Sequence, residues 1–294
     1  MERLRVECMK CILDHNINKY PEDISEHKKI EYIQKLNAIM AATTMDQGAP
    51  VIVRDITELQ EEMFGIKNEF GPVKVYFNDV MLAQEESVRQ TIKASADPLK
   101  TAIGYALAGN FIDFGAMKEV DEKELHNQLD KAADFEPDKE QYAKLKEDLE
   151  KGKSLVYITD NCGEVVMDKL LIETIKGLYS NIEVKVLVRG GDVLNDATMD
   201  DALQVGLDKV ASVIPNGTRI AGTVPEEMSK EAREAYENAD ILISKGQGNF
   251  ESLRKCGDNI YYLFLCKCPM FARIFKVPTF TGMLINDNAL GQYE

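Results

Sequence analysis

Three oxygen-bearing side chains stand where a metal site would form. Asp160 and Asn161 directly follow one apolar segment, and Asp196 lies in the loop after the next. Carboxylate and amide oxygens are hard donors that suit Mg²⁺ or Mn²⁺, and three of them leave positions for water and substrate. These residues therefore favour a divalent-metal site. An alternative stays open, because Asp and Asn are also favoured as N-caps of following helices.

Cationic and glycine-rich segments follow the same kind of apolar run. Lys245 precedes Gly246, and Arg189 precedes two further glycines. A lysine is a compact charge suited to phosphate, and glycines let backbone N–H groups approach an anion closely. Together with a metal, these groups would form a phosphoryl-transfer site. The predicted substrate contacts are Arg189, Gly191, Lys245 and Asn249.

The second half of the chain alternates strands with helices. Near-continuous apolar runs suit strands buried on both faces of a parallel sheet. The predicted strands are 154–160, 183–189, 209–215, 239–246 and 260–266, and the predicted helices are 164–178, 197–206, 226–238 and 248–256. This alternation predicts an α/β fold, in which ligands bind beyond the carboxyl ends of the strands. The metal and phosphate residues would therefore share one edge of the sheet.

The first half has a helical pattern instead. Apolar residues recur every three or four positions within 30–40, Asp97-Pro98 reads as an N-cap followed by a first-turn proline, and Asp121 heads another helix. Residues 136–153 read as a solvated helix. We therefore predict a helical domain over 1–150 and a three-layer α/β/α domain with a mainly parallel sheet over 151–294.

Composition limits the partners. The 294 residues include 35 Lys and Arg against 50 Asp and Glu, a formal charge of −15. This balance disfavours nucleic acid and anionic membranes, which bind clustered basic surface. The chain has no apolar run of about 18 residues and no signal-peptide pattern at its start. We expect a cytoplasmic protein whose partner is a small molecule; the oligomeric state is left open.

Several segments resemble one known family. They are CMKCIL (8–13), GNFIDFG (109–115), DNCGEVVMD (160–168), RGGDVLNDATMDDA (189–202) and ISKGQGNFESL (243–253). In this order they resemble the domain-of-unknown-function 89 family, the damage-control phosphatases, which includes the acidic-residue methyltransferase-like proteins. The CxxC segment resembles the smaller prokaryotic subfamily.

The resemblance implies a metal-dependent phosphoric monoester hydrolase acting on small phosphometabolites, such as sugar phosphates or damaged phosphate esters. It implies a helical part in front of an α/β/α domain, and one divalent ion (Mg²⁺, Mn²⁺, Co²⁺ or Ni²⁺). By motif match, the implied ligands are Asp160, Asn161 and Asp196. Lys245 matches a phosphate-contacting lysine, and Asn110 and Asp113 match a segment that closes over the site.

The cysteines form a separate group of candidate residues. Cys162 follows Asn161 where the family pattern leads us to expect a small residue such as Ala or Ser, and it would place an oxidisable atom beside the metal. Cys8 and Cys11 share a helix face and, with Cys268, would form a second thiolate or redox site if the two halves meet there. The alternative is that these reduced cysteines are small core hydrophobes.

Two other functions stay open. One is an S-adenosylmethionine-dependent carboxyl methyltransferase, which is disfavoured because no glycine-rich loop follows the first strand. The other is a non-catalytic protein that senses a metal or metabolite. The nucleotide-binding motifs GxGxxG and GxxxxGK[ST] are absent from the sequence, which disfavours NAD and P-loop chemistry.

Overall fold

The computed structural model describes residues 3–67, 69–113 and 120–293. The helices are α1 (Val6–Asn16), α2 (Glu26–Ala42), α3 (Ala49–Phe64), α4 (Gly71–Ala94), α5 (Pro98–Gly109), α6 (Glu122–Lys131), α7 (Lys139–Lys151), α8 (Glu164–Leu178), α9 (Met199–Val205), α10 (Lys230–Glu237), α11 (Gln247–Leu253) and α12 (Pro269–Phe275). The strands are β1 (Ser154–Ile158), β2 (Glu183–Val188), β3 (Ser212–Pro215), β4 (Ile241–Lys245), β5 (Ile260–Cys266) and β6 (Thr281–Asn286).

The sheet has the order β3-β2-β1-β4-β5-β6. The first five strands are parallel to their neighbours, and β6 pairs antiparallel with β5. The chain moves outward from β1 through β2 to β3 and then returns to place β4 on the other side of β1. The loops after β1 and β4 therefore flank a topological switch point, where α/β sheets bind ligands. The predicted α/β fold is confirmed, and the five predicted strands are present.

The edge strand β6 was not predicted from the sequence. Its six residues begin with a partly exposed threonine and glycine, and glycine weakens a strand pattern. The pairing that makes TGMLIN a strand comes from β5, which lies beside it in space. An antiparallel neighbour of this kind is a tertiary effect that a short apolar run does not reveal.

Helix α5 carries part of the helical half to the strand ends. Asp97 caps it by accepting a hydrogen bond from the Lys100 backbone N–H (3.2 Å), and Pro98 occupies the first turn, as the sequence predicts. The helix is almost wholly buried and packs against α8. Gly104 permits this close packing, because a Cβ there would lie 1.9 Å from the Ala132 carbonyl oxygen. Asn110, the residue after α5, is thereby held at the strand ends.

The helical half and the sheet share a hydrophobic core. One continuous cluster contains residues of α4, α5, α6 and α7 together with residues of β1, β2, β4 and α8. The boundary near residue 150 falls between α7 and β1, and the division into two domains there stays a prediction. Within the described part of the chain, no helix is long and apolar enough to cross a membrane.

Candidate active site

The predicted metal-binding residues meet at the switch point. Asp160 and Asn161 follow β1, and an isolated antiparallel bridge pairs Asn161 with Asp196 of the loop after β2. The Ala197 N–H donates to the Asp160 carbonyl oxygen (2.7 Å), which fixes the two loops against each other. All three side chains are buried. The structure therefore brings together the three residues that the sequence proposed as ligands.

Two amides hold Asp160 beside Glu164. Asn161 Nδ2 donates to Asp160 Oδ2 (2.7 Å) and to Glu164 Oε2 (2.9 Å). Asn110 Nδ2 donates to the same two oxygens, at 3.1 and 2.9 Å. Because its Nδ2 faces the two carboxylates, the Asn161 amide turns its oxygen away from them. Asn110, predicted from the family resemblance, thus lies within the site.

Negative charge is concentrated at this point. The pKa of Asp160 is raised well above its usual value by burial and by repulsion from Asp196, Glu164 and Asp113, against the opposing charge of Arg189. Burial raises the pKa of Asp196 to about 6, although the Arg189 guanidinium lowers it. Carboxylates this close together are stabilised by a cation between them. The electrostatics therefore suit a divalent ion.

The donor chemistry also fits such an ion. Two carboxylates and an amide oxygen are ligands that hard cations prefer. Gly246 leaves space beside them: its φ is +79°, and a Cβ there would lie 1.9 Å from Asp160 Oδ2. Among residues 3–67, 69–113 and 120–293, no three His, Cys, Asp or Glu side chains are placed to hold a metal. The predicted ligand set has two aspartates and therefore relies on the Asn161 amide as its third donor.

Arg189 lies behind the aspartates. Its Nε donates to Asp196 Oδ2 (2.6 Å), and its Nη2 is 3.6 Å from Asp160 Oδ1. Nη1 donates to the Gly222 carbonyl (2.8 Å) and to Asn249 Oδ1 (3.0 Å). Arg189 and Asn249, both predicted substrate contacts, are thus buried and bonded within the protein. Their observed contacts orient the aspartates, and their contact with a substrate stays a prediction, as does that of the partly buried Gly191.

Lys245 is at the end of β4 and is fully buried. Its Nζ donates to the Ala106 carbonyl (2.8 Å), to Asp168 Oδ1 (2.9 Å) and to Glu164 Oε1. An ammonium group has three hydrogens, so these acceptors use all of its donors. A phosphate could bind Lys245 only by replacing one of them. Lys245, the predicted phosphate contact, therefore lies at the site, but all of its ammonium hydrogens are already bonded to protein acceptors.

A second lysine, Lys267, was missed by the sequence reasoning. It follows β5, and its Nζ donates to the Asn110 carbonyl (2.5 Å) and to Asp113 Oδ2 (2.6 Å). Among the described residues these are its two acceptors, which leaves one ammonium hydrogen for a ligand. The available signal was its position, because Lys267 follows its strand just as the other site residues follow theirs. The residue predicted at this position was the neighbouring Cys268 instead.

The predicted thiol site of Cys8, Cys11 and Cys268 stays a prediction. The Cys8 Sγ contacts Met270 Sδ (3.9 Å), which places α1 against the start of α12. Burial raises the pKa of both Cys8 and Cys11, and charge repulsion from Glu251 and Cys268 raises it further. All six cysteines are free thiols. The described residues contain no three-thiol metal arrangement, so the dithiol interpretation is the form of this prediction that we retain.

Cys162, the departure from the family pattern, lies inside the site loop. It is wholly buried, and burial raises the pKa of its thiol to about 12. A thiol with such a pKa is protonated at neutral pH and reacts slowly with oxidants. Cys162 therefore behaves as a small buried side chain in this loop.

Comparisons with known proteins identify relatives of this chain. Residues 4–281 match the model of the damage-control phosphatase ARMT1-like domain. A damage-control phosphatase of Pyrococcus horikoshii is 39% identical over 209 residues, covering 69% of this chain and 71% of that protein. A damage-control phosphatase of Archaeoglobus fulgidus is 32% identical over 215 residues, covering 72% and 73%.

The fold has a solved counterpart. The crystal structure of a DUF89 family protein from Pyrococcus horikoshii superposes with a TM-score of 0.78 and 28% identity, covering 98% of this chain and 99% of that one. The relatives' names support a phosphatase-type function for this chain. By sequence and by fold, the chain belongs to the family of damage-control phosphatase ARMT1-like domains.

Proposed function

We propose that the protein is a metal-dependent phosphatase of small phosphate monoesters, such as sugar phosphates or damaged phosphometabolites. The observation that carries this proposal is the cluster of buried carboxylates, Asp160, Asp196 and Glu164, at the switch point of the sheet. Their mutual repulsion is unfavourable without a cation, and the family's relatives are phosphatases by name.

Asp160, Asn161 and Asp196 would hold the divalent ion, which can be Mg²⁺, Mn²⁺, Co²⁺ or Ni²⁺. When bound, such an ion supplies Lewis-acid polarisation of a phosphoryl oxygen and lowers the pKa of a bound water. The chain's own contribution is to hold the oxygens in place. Arg189 orients Asp196 from behind, and the Asn110 amide orients Asp160 from the side of α5.

Lys267 is the best placed residue to contact the phosphate. It has a donor left after its bonds to Asn110 and Asp113, and its position next to Asn110 keeps it close to Asp160. A lysine there would offset charge on the transferring phosphoryl group. Asp113, whose charge acts on both Asp160 and Asp196, is placed to accept the proton of the attacking water.

Phosphate release from a panel of sugar phosphates and an aryl phosphate tests the proposal. The protein is stripped of metal and then supplied with Mg²⁺, Mn²⁺, Co²⁺ or Ni²⁺ in turn. We expect turnover that requires metal and is lost in Asp160→Ala. Asp130→Ala, on the exposed face of α6, is the matched control and should retain full activity.

Two results would count against the proposal. Full metal-dependent activity in Asp160→Ala would show that the ligand assignment is wrong. Tight metal binding without turnover on any phosphate ester would favour the sensing function instead, and binding of S-adenosylmethionine that survives chelation would favour the methyltransferase.

A further inference from the structure

A buried ion network lies behind Glu164, on the side away from Asp160. Lys245 bridges Glu164 and Asp168, which are one turn apart on α8, and none of the three side chains has any exposed surface. The Tyr157 hydroxyl also donates to Asp168 Oδ1 (2.7 Å). The other Glu164 oxygen, Oε2, accepts from Asn161 and Asn110. The network thus connects the core to the residues around Asp160.

We propose that Asp168 and Lys245 are positioning residues for the proposed phosphatase reaction: they hold the Glu164 carboxylate in the orientation that fixes Asn161 and Asn110. The inference rests on the proposed function, since its purpose is to preorganise the metal-binding residues. It assigns Lys245 to a role different from contact with phosphate.

The cost of the network supports this role. Burying charged groups is expensive, and well-packed apolar residues often stabilise a core as well or better. Asp168 Oδ2 adds to the cost because it is buried without a hydrogen-bond partner among the described residues. A buried carboxylate oxygen without a hydrogen-bond partner destabilises the folded state, so a contribution to stability does not by itself account for this network. The network fixes the position of Glu164 Oε1 through its hydrogen bond from the Lys245 ammonium.

Each Lys245 contact has a separate function in this network. The Ala106 carbonyl, on α5, ties the ammonium to the helix that is followed by Asn110. Asp168 holds the ammonium from the core side, and Glu164 receives it on the site side. Removing either Asp168 or Lys245 would therefore release Glu164 from one side and loosen its bonds to the two amides.

The test compares two substitutions that change the local charge in opposite directions. Asp168→Asn removes a negative charge and Lys245→Gln removes a positive one. The dissociation constant of Mn²⁺ is measured by calorimetry above pH 7, where the Asp168 carboxylate is charged, and at temperatures well below the melting transition of each variant. Positioning predicts that both substitutions weaken Mn²⁺ binding by about 10- to 100-fold, as seen for residues that orient metal ligands.

Other roles predict different results. A purely electrostatic role predicts weaker binding in Asp168→Asn and tighter binding in Lys245→Gln. A purely structural role predicts lower melting temperatures with unchanged Mn²⁺ affinity. A phosphate-contacting Lys245 predicts unchanged Mn²⁺ affinity and a raised KM. Any of these three results overturns the inference.

Tyr157→Phe is the matched control. It removes one hydrogen bond to Asp168 Oδ1 but keeps the Lys245 bridge, so we expect a lower melting temperature and an unchanged Mn²⁺ affinity. An equal loss of Mn²⁺ affinity in Tyr157→Phe and Asp168→Asn would overturn the inference, and this comparison suffices if Lys245→Gln does not fold. Failure of the wild-type protein to bind Mn²⁺ or any other divalent ion would instead refute the proposed function itself.

Discussion

Two lysines at the ends of neighbouring strands have different surroundings. Lys245 ends β4 and is completely buried between Glu164 and Asp168. Lys267 follows β5; 5% of its side chain and 18% of that of its partner Asp113 stay exposed. Lys245 uses all three ammonium hydrogens within the protein, whereas Lys267 has two acceptors among the described residues. We call the surroundings of Lys245 the inner region and those of Lys267 the outer region.

The comparison shows that residue type at a strand end does not determine function. A lysine after a strand suggests a phosphate contact in both cases, but its free donors decide whether it can bind a ligand. The inner region is suited to holding other residues in place. The outer region is suited to binding the substrate.

Gly246→Ala should disrupt the inner region most severely. Its φ of +79° with ψ of 157° lies in a region that only glycine adopts readily and costs alanine about 1–3 kcal/mol, and the added Cβ would lie 1.9 Å from Asp160 Oδ2. Displacing Asp160 should lower kcat/KM by about 100-fold or more. Steady-state kinetics and urea unfolding measure the two effects. Gly177→Ala, on the exposed surface of α8, is the control and should slightly stabilise the protein. Wild-type kinetics in Gly246→Ala would contradict the assigned position of Asp160.

Lys267→Gln should chiefly weaken substrate binding. Loss of a charge-assisted hydrogen bond costs about 1.5–3 kcal/mol, which corresponds to roughly a 10- to 100-fold loss in kcat/KM. We expect most of this loss in KM, with the Mn²⁺ dissociation constant little changed, in contrast to Lys245→Gln. The exposed Lys139→Gln is the control. An unchanged KM in Lys267→Gln would remove the proposed distinction between the regions.

The inner region should also make stability depend on pH. Burial raises the pKa of Asp168 from 3.8 to about 7, although the Lys245 charge lowers it. Between these values the folded state binds more protons than the unfolded state, so this residue's contribution to stability falls as pH rises. The free energy of unfolding of the wild type minus that of Asp168→Asn should therefore decrease from pH 4 to pH 7, by at most about 1.4 kcal/mol per pH unit. Urea unfolding of both metal-free proteins at several pH values measures this difference in free energy. A difference that stays constant or increases from pH 4 to pH 7 would contradict burial as the dominant influence on the pKa of Asp168.

The thiols next to the outer region should give the smallest effect. The backbone N–H groups of Lys267 and Cys268 both donate to Gln247 Oε1 (3.0 Å each). A shift of the backbone at Cys268 would therefore also move Lys267. Peroxide would oxidise Cys268 together with Cys8 or Cys11: the two thiols give up two electrons and two protons, and the peroxide becomes two waters. We expect a few-fold loss of activity that dithiothreitol reverses.

Cysteine variants identify the thiols responsible. Cys268→Ser should abolish the response to peroxide, and substitution of Cys256, a partly buried cysteine between α11 and β5, by Ser should leave the response in place. A response that persists in Cys268→Ser would show that these thiols are not the redox-sensitive group.

The sequence was sufficient to predict the strands that carry the site. Continuous apolar runs of β-branched residues specify strands buried on both faces, and the loops after them must lie at one edge of a parallel sheet. Asp160, Asn161 and Asp196 follow two such strands and are therefore predicted to lie together at that edge. Helix starts such as Asp97-Pro98 were also predictable, because capping is a local interaction.

The tertiary structure decided what each charged side chain does. Whether Lys245 has a free donor depends on Ala106 and Asp168, which are far from it in the chain, and whether Lys267 reaches the site depends on Asn110. Such contacts arise from packing between α5, α8 and the strands, and no local pattern encodes them. The types of group available, and the edge of the sheet where they gather, follow from the amino-acid sequence. Burial and the partners of each group, which set its charge and its free hydrogen bonds, were decided only by the folded structure.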